Sequence, residues 1–240
     1  MLYPRARMKD LLVVHSSDVH VDTLTEDGTA ALGAVIAAAR DAEADLLLLA
    51  GDTFEHNRLP LDLLARAAAL LEGAGMPVVI LPGNHDPAIP ESAFHRGGIA
   101  HIANVAILGI THEESVHFRD LDLEVWGRAH RDYGNMAPLE SPRPRRARWH
   151  IAMAHGHYEP VPDPMTALRP SWLISDAEIA ATRADYVALG HWNRRAKVGS
   201  GAVEAYYSGS PDLEATVNLV RLTQDGRVVV SRKELLYRAP

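Results

Sequence analysis

Val78-Val79-Ile80-Leu81-Pro82-Gly83-Asn84-His85-Asp86 is the stretch from which the rest of the chain can be read. Val78 to Ile80 is an apolar run of the kind found in a parallel strand buried on both faces. Pro82 and Gly83 end that run, and Asn84, His85 and Asp86 are presented on the loop beyond it. Open α/β sheets hold their chemistry at the carboxyl ends of strands. An amide oxygen, an imidazole and a carboxylate on one such loop are parts of a metal site with an acid beside it. The same residue types are ordinary turn formers, so the reading depends on whether other strands deliver ligands to the same edge.

Upstream, two further apolar runs do so. Leu46 to Leu49 leads into Gly51-Asp52-Thr53-Phe54-Glu55-His56, and Leu11 to Val14 leads into His15-Ser16-Ser17-Asp18-Val19-His20. Asp18 and His20 lie two apart, so in an extended segment they face the same side. Between the runs, Leu32, Val35, Ile36 and Ala39 recur with a helical period from Ala30 to Arg40. Pro60 opens a second helix, with Leu61, Leu64, Ala68 and Leu71 on its inner face. The order β-α-β-α-β implies parallel strands.

Downstream, Ile99 to Gly109 and Ser115 to Trp126 read as short strands with turns. His95, His101, His112, His117 and His130 are scattered there, and each reads as a surface or hydrogen-bonded histidine. Pro138 to Arg148 is a loop carrying Arg143, Arg145, Arg146 and Arg148, for which a solvated role and phosphate contact are evenly matched. Trp149 to Ala154 is a strand ending in His155-Gly156-His157, and Pro160 to Pro170 is a proline-rich loop. Ser175 and Glu178 form a capping box for a helix to about Arg183. Tyr186 to Leu189 is a strand ending in Gly190-His191-Trp192-Asn193. Val203 to Tyr207 follows, and a hairpin of Val217 to Leu222 and Val228 to Ser231 turns at Asp225-Gly226.

Hydrophobic residues make up 47% and charged residues 23% of 240 residues, which fits one globular domain spanning 1–240. With no cysteine, disulfides and thiolate metal sites are excluded. The 13 histidines are the obvious ligands. A net charge of −7 argues against a surface built to coat nucleic acid. It leaves phosphate substrates open, because bound cations dominate a local field. No apolar run approaches the roughly 20 residues of a membrane span, and Leu11 to Val14 is too short for a signal-peptide core. The expectation is a cytoplasmic protein with no membrane partner.

Five strand ends now carry candidate ligands: Asp18 with His20, Asp52, Asn84 with His85, His155, and His191 with Asn193. The motifs Asp18-Val19-His20, Gly51-Asp52, Gly83-Asn84-His85-Asp86, His155 and Gly190-His191 resemble those of the calcineurin-like metallophosphoesterases. Within that superfamily the chain looks most like the SbcD-type DNA-repair exonucleases. The cues are Ser16 to His20, Ala50 to Phe54, Asp185 to His191 and Tyr207-Ser208-Gly209-Ser210-Pro211.

The resemblance implies a four-layer α/β/β/α sandwich of two mixed sheets with flanking helices. It implies two divalent metal ions, Mn²⁺ first, with Mg²⁺, Fe or Zn²⁺ as alternatives. Asp18 and His20 would bind the first, with Asn193 in the remaining slot. Asp52 would bridge the pair, and Asn84, His155 and His191 would bind the second. His85 would be the catalytic acid and Asp86 would orient its loop. The implied reaction is hydrolysis of a P–O bond by in-line attack of a metal-bridging hydroxide. The chain would then be a phosphodiesterase or nuclease, acting on phosphodiesters, phosphomonoesters or nucleic acid. The competing readings are a small-molecule or nucleotide phosphoesterase, and a phosphate-binding member without turnover. Two departures stand out. Asn193 occupies the place of a second histidine, and the chain reaches Pro240 without the exonucleases' C-terminal capping domain.

Overall fold

The computed structural model describes residues 9–24, 27–161 and 172–237. The chain runs β1 (Leu11–Ser16), α1 (Ala30–Asp41), β2 (Leu46–Ala50), α2 (Leu61–Glu72), β3 (Val78–Leu81), α3 (Ala93–Arg96), β4 (Val105–Ile107) and β5 (Ser115–Phe118). It continues through β6 (Leu123–Gly127), β7 (Trp149–His155), α4 (Asp176–Ala181), β8 (Tyr186–Gly190), β9 (Ala196–Val198) and β10 (Glu204–Tyr207). Then come α5 (Pro211–Glu214), β11 (Thr216–Leu222) and β12 (Val228–Glu234).

Two six-stranded sheets result, ordered β12-β11-β1-β2-β3-β4 and β5-β6-β7-β8-β10-β9. In the first, β1 to β4 are parallel, while β11 runs antiparallel to β1 and β12 to β11. In the second, β6, β7, β8 and β10 are parallel and the edge strands β5 and β9 are antiparallel. Both sheets are mixed, as expected.

The continuous apolar runs build the layers because successive side chains leave opposite faces of a strand. Leu46, Leu48, Val79 and Leu81 point into the core between the sheets, against Ile151, Met153, Tyr186 and Ala188 of the second sheet. Leu47, Leu49, Val78 and Ile80 point the other way, against Leu32, Val35, Leu64 and Leu71 of α1 and α2. Ala152, Val187 and Leu189 face outward from the second sheet and pack on Ile179 of α4. The section is therefore helix, sheet, sheet, helix. All of these side chains are buried, and each Leu, Ile, Val and Met among them contributes about 1.5–3 kcal/mol by leaving water.

Local differences have local causes. Pro60 caps α2 in extended backbone (φ −57, ψ 146), so the helix starts at Leu61, not at the proline. The segment from Ile99, read as short strands with turns, begins with a 3-10 turn over Ile99–His101 before the short β4. The Ser175–Glu178 capping box is present in both directions, but α4 ends at Ala181. Beyond Val161, the proline-rich stretch read as loop lies outside the described residues. No helix among the described residues is long and apolar enough to cross a membrane.

Candidate metal centre

The strand ends carrying the candidate ligands meet at one rim. Past the ends of β1 and β2 the two loops stay side by side: the Asp18 N–H donates to the Gly51 carbonyl (3.0 Å) and the His20 N–H to the Asp52 carbonyl (3.0 Å). Asp18 and His20 are not extended. They sit in the left-handed region at φ 52 and 49, as do Asp52 at 51 and His191 at 99. Such backbone costs roughly 1–3 kcal/mol per non-glycine residue and clusters at functional sites. Here it is what turns each side chain inward from its strand. Gly83 is needed for close approach: a Cβ there would stand 2.2 Å from Asp52 Oδ1.

Asp18, His20 and Asp52 form one group whose ligand atoms all lie within 4.8 Å of one another, and Asp52, His155 and His191 form a second. Asp52 is common to both. Its Oδ1 accepts the His85 backbone N–H at 2.9 Å, and its Oδ2 lies 3.0 Å from His155 Nε2. The His191 N–H reaches both Asp18 oxygens at 3.0 Å. Asn84 joins the second group, with Oδ1 also 3.0 Å from His155 Nε2.

His155 fixes the chemistry of this cluster. Its Nδ1 donates to the Ala50 carbonyl at 2.9 Å, a contact that orients a ligating imidazole. Nε2 then faces two oxygen acceptors, an arrangement that requires a cation among them, either a proton or a metal ion. Burial opposes a charge on His155, but the adjacent Asp52 and Asp18 carboxylates outweigh it and raise its pKa to about 9. Burial would likewise raise Asp52, yet the His155 charge and contact hold it well below the usual carboxylate range. Burial raises Asp18. Burial and the His155 charge together push His191 down to about 4. Two buried carboxylates, three imidazoles and an amide oxygen with no sulfur are a donor set for hard or borderline divalent cations. The residues fit a two-cation centre, with Asp18, His20 and Asp52 on one side and Asp52, Asn84, His155 and His191 on the other.

His85 stands beside this cluster, half-exposed. Its Nδ1 lies 2.9 Å from the Glu55 carbonyl and 3.3 Å from Glu55 Oε1, which leaves Nε2 free. Burial lowers its pKa, but the Asp52 and Glu55 charges reverse this and raise it. Asp86 is fully buried and accepts the Gly83 N–H at 2.7 Å and the Phe54 N–H at 3.0 Å, stapling the β3 loop to the β2 loop. Burial and the nearby Asp52 push it up to about 7. Asn193 is exposed, and its carbonyl accepts the Ser210 N–H at 3.0 Å.

Two residues reach the site without having been singled out in the sequence. Glu55 lies 2.8 Å from His20 Nδ1 as well as against His85. Its signal was its place three residues after Asp52 on the same loop. His130, read as an ordinary scattered histidine, is buried under the rim and donates through Nε2 to the His155 carbonyl at 2.9 Å. Burial and the His155 charge lower its pKa to about 4. No strand end or period marked it. Trp172 packs edge-on against both His130 and His191, with centroids 5.1 and 5.5 Å away.

Among solved structures, the fold is similar to that of TT1561 from Thermus thermophilus, with a TM-score of 0.61 and 15% identity over 93% of this chain and 98% of that one. A Staphylococcus aureus protein described as a 5′-nucleotidase, solved with alpha-ketoglutarate, has a TM-score of 0.64 at 14% identity. That alignment covers 97% of this chain and 55% of the larger neighbour. At these identities the likeness is one of fold. No curated protein matches the sequence. The model of one family, calcineurin-like phosphoesterase, matches residues 11–195. That match takes in every strand end of the rim, and with the ligand groups gathered there it places the chain in the calcineurin-like phosphoesterase family, as a metal-dependent phosphoester hydrolase.

Proposed function

We propose that the chain is a dinuclear phosphodiesterase, working as a single domain. Asp18, His20 and Asp52 would hold one cation with Asn193 beside it, and Asp52, Asn84, His155 and His191 the other. Mn²⁺ is the ion proposed, because it suits the oxygen donors of the set, and Mg²⁺, Fe or Zn²⁺ are the alternatives. The observation that carries the reading is Asp52, shared by the two most buried of the three candidate ligand groups, the third being His20, Glu55 and His85. Divalent cations bound there would neutralise charge on the phosphoryl oxygens and make water a nucleophile near neutral pH.

The residues of the chain do the rest. The His85 and His191 N–H groups grip the two carboxylates from behind, so the acceptors do not reorganise during reaction. With Nδ1 against Glu55, His85 has Nε2 left to donate a proton to the departing oxygen. Burial lowers its pKa, but the Asp52 and Glu55 charges reverse this and raise it, which favours the protonated form. Asp86 holds the loop that presents both Asn84 and His85.

Nuclease activity, as in the SbcD-type enzymes, is the finer form of this proposal. A nucleotide phosphomonoesterase is the second reading, favoured by the way the basic loop is already paired. There Arg143 meets Glu114 (2.6 Å) and Arg145 meets Asp185 (2.7 Å), which leaves less free positive charge for a polyanion. One hydrolysis panel with added Mn²⁺ tests these: bis-p-nitrophenyl phosphate, p-nitrophenyl phosphate, cyclic nucleotides, and single- and double-stranded DNA. The expected result is Mn²⁺-dependent cleavage of the diester, abolished by a chelator. Hydrolysis of monoesters alone selects the second reading, and no hydrolysis at all rejects both.

A further inference from the structure

Trp172 is held at the rim against its own backbone preference. It sits in the left-handed region at φ 46, an outlier for a bulky side chain and a conformation that recurs at ligand clamps. Gly156, directly after the ligand His155, makes room for it: a Cβ there would stand 2.0 Å from the Trp172 carbonyl oxygen. The Trp172 backbone is tied on both sides. Its N–H donates to Asn135 Oδ1 at 3.1 Å, and its carbonyl accepts the His157 N–H at 3.1 Å. The indole N–H donates to the Gly134 carbonyl at 2.8 Å.

These ties fix a half-buried ring. Its ring neighbours His130 and His191 stand at 71° and 81° to it, and among the described residues no ring lies parallel to the indole. Trp192, next to His191 in sequence, is placed differently. It lies flat on Tyr207, with centroids 4.4 Å apart and planes at 10°, and its N–H donates to His157 Nδ1 at 3.0 Å. Trp192 therefore serves the packing of the second sheet, while Trp172 presents an indole beside a candidate ligand.

The position also says which part of a substrate the indole meets. His85 stands against His20, with centroids 4.9 Å apart, and Trp172 against His191, at 5.5 Å. His20 and His191 belong to different ligand groups. A diester whose departing oxygen lies at His85 therefore has its retained ester group on the Trp172 side. We infer that Trp172 is a binding residue that stacks on a planar base in that retained group, so that the site selects nucleoside phosphodiesters over alkyl ones. This inference rests on the phosphodiesterase reading and on the proposed role of His85. Stacking on an aromatic side chain accepts any base, because every base has a π-face. It also asks for no cationic surface, which fits a chain of net charge −7.

The test uses two diesters with the same departing group, thymidine 5′-(p-nitrophenyl phosphate) and ethyl p-nitrophenyl phosphate, with added Mn²⁺. Wild type is compared with Trp172→Phe and Trp172→Leu. Both variants lose the bond to Gly134, and only phenylalanine keeps a ring to stack. Wild type should favour the thymidine ester in kcat/KM by about 5–150-fold, the range for one base stacked on an aromatic side chain. Trp172→Leu should lose most of that preference through KM, with turnover of the ethyl ester little changed, and Trp172→Phe should keep most of it. Calorimetry with thymidine 5′-monophosphate on the Mn²⁺-loaded proteins should rank affinity in the same order: wild type, Trp172→Phe, Trp172→Leu. If wild type cleaves the two diesters equally well, the inference fails and the proposed function stands, a result that needs no variant to fold. If Trp172→Leu slows both diesters by the same factor, Trp172 only supports His130 and His191, and the inference again fails alone. If wild type cleaves neither diester, the proposed function and the inference fall together.

Discussion

The rim around Asp52 and the loop from Pro142 to Arg148 both gather charged side chains beside the second sheet, and they settle their charge in opposite ways. In the loop, two of the arginines are paired with carboxylates of opposite sign. Arg145 meets Asp185 through two contacts of 2.7 and 3.1 Å, and Arg143 meets Glu114, all at partly exposed positions. At the rim, two buried carboxylates share one cationic imidazole, His155, which lies 3.0 Å from Asp52. Asp18 and Asp52 are both buried near one another, and His155 and His191 lie 5.3 Å apart between ring centroids. Four residues there hold strained backbone, while among these loop arginines none is at positive φ. A self-paired cluster gains little from a ligand. A buried cluster in which carboxylates outnumber their cationic partner, held on strained backbone, is stabilised by one, which is what separates a site from a decorated surface.

The sharpest way to break this contrast is Asp52→Ala. The variant should lose both cations and more than about 10⁴-fold in rate, beyond what one general acid supplies. Metal analysis of the folded protein checks it, and unchanged stoichiometry would remove Asp52 from the centre. His85→Ala should cost about 10²–10⁴-fold in turnover while keeping its cations. The loss should shrink on p-nitrophenyl esters, which need little protonation. A variant that loses metal in step with rate would make His85 a ligand.

Asn193→His should tighten the weaker Mn²⁺ site on the order of tenfold, worth about 1.4 kcal/mol. Identical Mn²⁺ titrations of the two proteins would place Asn193 away from the cation. Arg145→Ala should do least. A partly exposed pair is worth about 0.2–1 kcal/mol, so a small drop in melting temperature with unchanged diester turnover is expected. A large loss of turnover would show that the loop belongs to the site after all.

Much of this was legible beforehand for physical reasons. Leu46 to Leu49 and Val78 to Leu81 are apolar at every position because both faces of their strands are buried, and that pattern gave the parallel core. Ser175 and Glu178 announced α4 because the capping box is a local hydrogen-bond exchange. Asp18, Asp52, Asn84, His155 and His191 could be read as site residues from their places at the ends of such runs. What was hidden depends on long-range geometry. Nothing in Leu11 to Ser16 shows that β1 pairs with β11 on one side and β2 on the other. His130 reaches His155 only because the loop after β6 folds beneath β7. Left-handed backbone at Asp18 and His20 leaves no mark in residue types that are equally at home in ordinary loops.

The position of β1 also bears on how the chain assembles during synthesis. Its inner edge finds β2 early, but its other edge waits for β11, and the buried Asn218 that contacts His15 lies 203 residues further on. Until that hairpin emerges, β1 presents an open apolar edge of the sort that recruits other chains. The loop bearing Asp18 and His20 hangs from that same unfinished strand. The earliest ligands to be made therefore belong to one of the last parts of the sheet to close, and a nascent chain halted before Thr216 would be prone to aggregate with its metal rim incomplete.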